Sequence, residues 1–179
     1  YMPQLKAEQD VSNLYLAQDM LSSLYGFQGL YEQALTLALE NYKLLPKLKS
    51  KEKIEVLKDL ALAYKNIQEL ALAKQYYLEA LDSAKQQKSN IYTLDLMQNV
   101  LDVKIELKDT ADIHQYIATG EQVASDFYGT PDWTTWKYQL AEYYMGQGLY
   151  GKADTTLQVA LKAIETKNYG ALKVYLNHA

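Results

Sequence analysis

The chain has 179 residues, 49% of them apolar, with a net charge of −4, and all 18 of its basic residues are lysine. Without arginine it lacks the bidentate fork best suited to phosphates and guanine edges, which argues against nucleic acid as a partner. The absence of cysteine excludes disulfides, zinc–thiolate sites and thiol chemistry, and eight glycines with three prolines are too few for a β-rich chain full of tight turns.

In chain order, an apolar period near 3.6 residues predicts a first helix over about 5–27 and a turn at Gly29, where glycine tolerates positive φ. A second helix follows over about 30–46, and Pro46 helps to end it. The lysine-rich run KLLPKLKSKEKIEVLK (43–58), interrupted by Glu52 and Glu55, reads as a solubilising inter-repeat loop, with an anion or acidic-partner patch as the alternative. It leads into a helix over about 52–67 that places Leu57, Leu60, Ala61 and Tyr64 on one face, followed by one over about 70–87. Helices over about 91–108 and 111–127 come next. Thr130-Pro131-Asp132 then supplies a cap and a first-turn proline for a helix over about 132–146. Gly148 marks another turn before a helix over about 150–166, and 168–179 reads as the start of a further helix without its partner. No apolar run approaches the roughly 18 residues of a membrane span, and composition leaves the compartment open between cytoplasmic and extracytoplasmic.

These helices fall into pairs that repeat. Tyr25, Tyr64 and Tyr144 each open a stretch Y-x3-(G/Q)-x-(Y/L)-x2-A, with Ala34, Ala73 and Ala153 nine residues on. A fourth copy begins at Lys104, with Leu101 in place of a small residue and Ile113 in place of the alanine. Recurrence about every 40 residues signals a stacked array of helix hairpins, one continuous domain with repeats near 15–50, 54–89, 94–129 and 134–166. The third repeat is expected to stay helical with altered packing. Both ends read as those of a piece cut from a longer protein.

The pattern resembles the tetratricopeptide repeat (TPR) family over about residues 15–166. Leu21-Ser22, Leu60-Ala61 and Leu140-Ala141 fill its large–small pair, and Pro46 falls where the family often places a proline. The resemblance implies an all-α, right-handed superhelix (α-solenoid) of four hairpins plus a C-terminal partial helix. The period of about 40 is similar to repeats in bacterial signalling and peptide-sensing proteins. It implies a non-enzymatic module holding a peptide or protein segment in a concave groove lined by the first helices. The groove set would be Lys58, Asn66, Gln98, Asn99, Asp102, Tyr138, Gln139 and Glu142, with Asp19, Ser23, Asp59 and Leu62 beside them. The family's carboxylate clamp needs lysine and asparagine where Asp19 and Ser23 stand, so that mode is not expected. Alternatives are a peptide-pheromone receptor domain of a transcriptional regulator and an oligomerisation scaffold joined through the apolar Leu172, Val174 and Tyr175.

Chemistry beyond binding finds little support in the residues. GQGLYG (146–151) satisfies G-x-G-x-x-G but sits at an inter-helix turn instead of following a buried strand. His114 and His178 have no second ligand at helical spacing, so no metal or other cofactor is expected. Asp95, Asp102, Asp109 and Asp112 read as solvated faces or caps. Tyr25, Tyr64, Tyr77, Tyr144 and Tyr150 read as packing residues and Trp136 as a contact between repeats, whereas Trp133 is the exposed candidate for an interface anchor.

Overall fold

Three-residue turns at 28–30, 67–69, 87–89 and 147–149 fold the helix that follows each back against the one before it. The computed structural model describes the backbone of residues 2–176 and the side chains of 10–167. Among these residues the elements are α1 (Met2–Phe27), α2 (Tyr31–Leu44), a 3-10 turn (Leu45–Lys47) holding Pro46, α3 (Ser50–Asn66), α4 (Leu70–Gln86), α5 (Asn90–Glu106), α6 (Ile113–Ser125), α7 (Pro131–Gly146) and α8 (Tyr150–Leu176). They contain no strand, and no described helix is long and apolar enough to cross a membrane. The architecture is therefore all-α, built of helix pairs. One boundary differs from expectation: α8 runs unbroken to Leu176, so no separate helix opens at 168. The side chains of Leu172, Val174 and Tyr175 lie outside the described residues, as does His178.

The contacts gather into two compact units, Tyr1–Leu107 and Lys108–Ala179, so the division falls inside the third repeat, at the turn after α5. In the first unit α1 packs on α2, α2 on α3, α3 on α4, and α4 on α5, with α1 also reaching α3. Small buried residues let the helices approach: Ala34 and Ala38 from α2, Ala61 and Ala63 from α3, Ala73 and Ala80 from α4. Leu60, Tyr77, Leu94 and Leu101 fill the space between. Tyr64 stacks on Tyr76 at 5.5 Å, and Tyr42 meets Tyr76 edge-on at 5.6 Å, joining three helices. Leu21 is more exposed than its counterparts Leu60 and Leu140.

The repeated Y-x3-(G/Q) motif has a backbone cause. Tyr25, Tyr64 and Tyr144 sit two residues before the last residue of α1, α3 and α7, and their carbonyls accept the N–H groups of Leu30, Glu69 and Leu149 at 2.8–3.0 Å. The intervening residue is left-handed in each case: Gly29 at φ 75°, Gln68 at 65° and Gly148 at 71°. This is the Schellman stop, which satisfies carbonyls that the helix leaves orphaned. The worn third copy keeps the conformation, with Lys108 at φ 54°.

In the second unit α6 packs on α7 and α7 on α8. Thr130 caps α7, its Oγ1 accepting the N–H of Trp133 at 3.3 Å. Trp136 is fully buried, as expected of an inter-repeat contact, and its ring lies over Gly120, where an added Cβ would stand 2.1 Å from Cη2. Its indole N–H donates to Glu121 at 2.8 Å. Trp133 is not an exposed anchor: it is buried, 4.8 Å from the ring of Tyr128, with Lys137 5.4 Å from its own ring. Tyr150 is corrected the other way. As the first residue of α8 it is 71% exposed.

Candidate functional site

A cavity of about 240 Å³ opens in the first unit between α1 and α3, floored by α2. The small residues Gly26, Ala34 and Ala63 line it and leave its space unfilled. Ser22, on its wall, donates to the Ala34 carbonyl at 3.0 Å and ties α1 to α2. Asp19 and Ser23 stand on the α1 side, Asp59, Leu62 and Asn66 on the α3 side, and Phe27 and Tyr31 at the end near the turn. Phe27 is 91% exposed and Tyr31 41%. A large apolar ring held that open to water beside a concave surface is informative in a way that scattered exposed leucines are not.

The electrostatics of this cavity are unusual. Asp59 is partly buried and hydrogen-bonded to the carboxyl of Asp19. Burial, then the charge and hydrogen bond of Asp19, push its carboxyl up from 3.8 to about 8. Two carboxyls joined by a hydrogen bond need a proton between them, so at neutral pH the pair carries one charge instead of two. Nearby Tyr15, buried on α1, is also pushed up, by burial first and then by Asp59, Asp19, Glu55 and Glu52.

Of the groove set expected from the sequence, Asn66 lines this cavity, and the accompanying Asp19, Ser23, Asp59 and Leu62 join it there. Lys58, one residue from Asp59, turns to α5 and pairs with Glu55 at 2.8 Å and Asp95 at 3.3 Å. Burial works against its charge, but the bond to Glu55 and the field of Asp95 hold the ammonium above its ordinary range. Asp102 is ion-paired with Lys65, which also reaches Glu106 at 3.1 Å. Asp95 and Asp102 are thus inter-helix ion-pair partners, not merely solvated faces. Asn99 donates to the Asp95 carbonyl of its own helix at 2.8 Å, and Gln98 is buried at 7% exposure instead of lining a wall. Tyr138, Gln139 and Glu142 lie on α7, in the other unit. There the Tyr138 hydroxyl donates to Glu142 at 2.9 Å, and that bond pushes the phenol up. Gln139 Oε1 is buried and accepts no hydrogen bond among the described residues.

Sequence reasoning places Asp19 and Asp59 in the groove but does not see them as a proton-sharing pair, and it misses Phe27 and Tyr31. His114 is exposed, and GQGLYG spans the α7–α8 turn with Gly148 as its left-handed residue.

No family model matches the chain, and no curated protein matches it by sequence. Solved structures do. BtubC (BKLC) from P. vanneervenii superposes with a TM-score of 0.76 at 16% identity, over 88% of this chain and 66% of its own, so the chain spans just under two thirds of that protein. A singly substituted form of a putative kinesin light chain with nearly identical TPR-like repeats, from Podosopora anserina, gives 0.71 at 15% identity, over 87% and 76% of the two chains. At such identities the likeness concerns the fold alone, which is that of TPR-like repeat proteins.

Proposed function

We propose that this chain is a non-enzymatic peptide- or protein-binding module, the sensory or interaction region of a larger bacterial signalling or regulatory protein. TPR-like repeats suggest a protein-interaction scaffold, and the observation that carries the reading is the α1–α3 cavity. It combines an open aromatic rim, a half-buried amide at Asn66 and an acidic wall on one concave face. An amide there can pair with both the N–H and the C=O of an extended peptide, which holds backbone with little regard for sequence.

The test is selection of random decapeptides on the immobilised chain, followed by hydrogen–deuterium exchange of the chain with the selected peptides. Protection is expected at the facing segments of α1 and α3. Asn66→Ala should weaken binding about threefold to tenfold, the worth of one neutral hydrogen bond. Enrichment no better than on heat-unfolded chain, or protection that avoids both helices, would remove the assignment.

A further inference from the structure

We propose that the α1–α3 cavity receives a positively charged side chain, lysine or arginine, of a bound peptide. Its cationic head would lie between the carboxyls of Asp19 and Asp59 and its stem along the ring of Phe27. The inference rests on the peptide-binding reading and names the chemistry of its anchor.

Four observations converge on it. At about 240 Å³ the cavity is smaller than the roughly 300–1,000 Å³ of small-molecule sites, and so suits one side chain of a longer ligand. Its charge is only partly answered from within: Lys58 acts on Asp59 through its field, but its ammonium is ion-paired with Glu55 and Asp95. The other charged group facing Asp59 from α3 is Glu55, and Asp19 and the Tyr15 hydroxyl face it from α1; none of these neutralises it. Finally, the exposed rings of Phe27 and Tyr31 border the acidic wall, and an aromatic face next to a carboxylate favours a cation over a neutral apolar group.

The proton shared by the two carboxyls gives the site a signature. A cation entering between them takes that proton's place, so binding releases up to one proton at pH 7. Affinity should rise with pH by up to about tenfold per unit until the pair is ionised near pH 8.

The experiment uses random decapeptides made in matched forms in which one position is lysine, norleucine or glutamate, with titration calorimetry at pH 7 in phosphate and in Tris. The lysine form should bind at least about tenfold tighter than norleucine, with glutamate weaker still and heats that differ between buffers by the proton released. The double variant Asp19→Asn/Asp59→Asn should erase the lysine preference and the buffer difference while leaving residual peptide binding and the helical circular dichroism intact. Equal binding of lysine and norleucine forms, or no buffer difference in the unmodified chain, overturns the cation assignment alone. Free butylammonium binding as tightly as the lysine peptide overturns the peptide as its source. Failure of every decapeptide to bind takes the functional reading down with it.

Discussion

The carboxyl pair makes folding itself pH-dependent in a window where few other groups titrate. Asp59 holds its proton to about pH 8 in the folded chain, whereas an aspartate in the unfolded chain releases it near 3.8. Between those values the folded state binds a proton that the unfolded state has lost. The associated stability is complete below about pH 4 and drains away as pH rises through 8. One full proton corresponds to about 1.4 kcal/mol per pH unit. Between pH 5.5 and 7.5 the first unit should therefore lose roughly 2 kcal/mol, after some reduction for the partial exposure of the pair. Glu55, whose carboxyl is lowered despite its burial by the bonds from Lys58 and Tyr92, acts in the opposite sense, but only below its ordinary 4.5. Asp59→Asn keeps the shape and removes the titration, so its stability should be flat across the window and exceed the unmodified chain's at pH 8. Asp19→Asn removes only the charge and hydrogen bond that Asp19 adds and leaves the burial of Asp59, so it should make the slope shallower without flattening it. Urea unfolding must be followed by far-UV circular dichroism, since Trp133 and Trp136 both belong to the other unit. A flat profile for the unmodified chain from pH 5.5 to 7.5, or a slope that survives Asp59→Asn, would refute the shared proton.

Three further outcomes are expected. Gly120→Ala drives a methyl into the Trp136 ring and should destabilise the second unit by roughly 1–3 kcal/mol, read by tryptophan fluorescence on unfolding. Gln68→Gly and Lys88→Gly each relieve a side chain held at positive φ, and each should stabilise the first unit by about 0.5–1 kcal/mol in circular-dichroism melts. Lys65→Gln leaves Asp102 and Glu106 unpaired and should cost about 1 kcal/mol at low salt, a penalty that shrinks in 1 M sodium chloride.

Much of the fold is legible in the sequence because it is set by local chemistry that recurs. The tyrosine, the left-handed residue and the alanine mark a helix stop, a turn and a close packing point, and each can be read within ten residues of chain. Even the third repeat, which loses its tyrosine and its small residue, keeps the turn at Lys108, because satisfying the carbonyls at a helix end is a backbone demand that tolerates many side chains. Trp133 escapes such a reading for the complementary reason. One ring that packs against it, Tyr128, lies in the loop before the helix and is silent in any helical period.

The candidate site is harder to see because its pairings skip an intervening helix. Lys58 meets Asp95 and Lys65 meets Asp102, both at a separation of 37 residues and both seven residues apart along their own helices. A search for partners within one helix cannot find such a ladder; a search at the repeat offset finds it at once. Applied to the preceding pair of first helices, the same search finds Asp19 facing Asp59, 40 residues apart, and here the signs match instead of opposing. Like charges across a half-buried contact are destabilising, and the chain tolerates them only by retaining a proton. Between α3 and α5 complementary charges close the inter-helix contact. Between α1 and α3 the complement is missing, a cavity stands open, and an aromatic ring is left in water beside it. Departure from the pattern, more than the pattern itself, is what distinguishes the α1–α3 contact from the α3–α5 one and what the proposed binding role rests on.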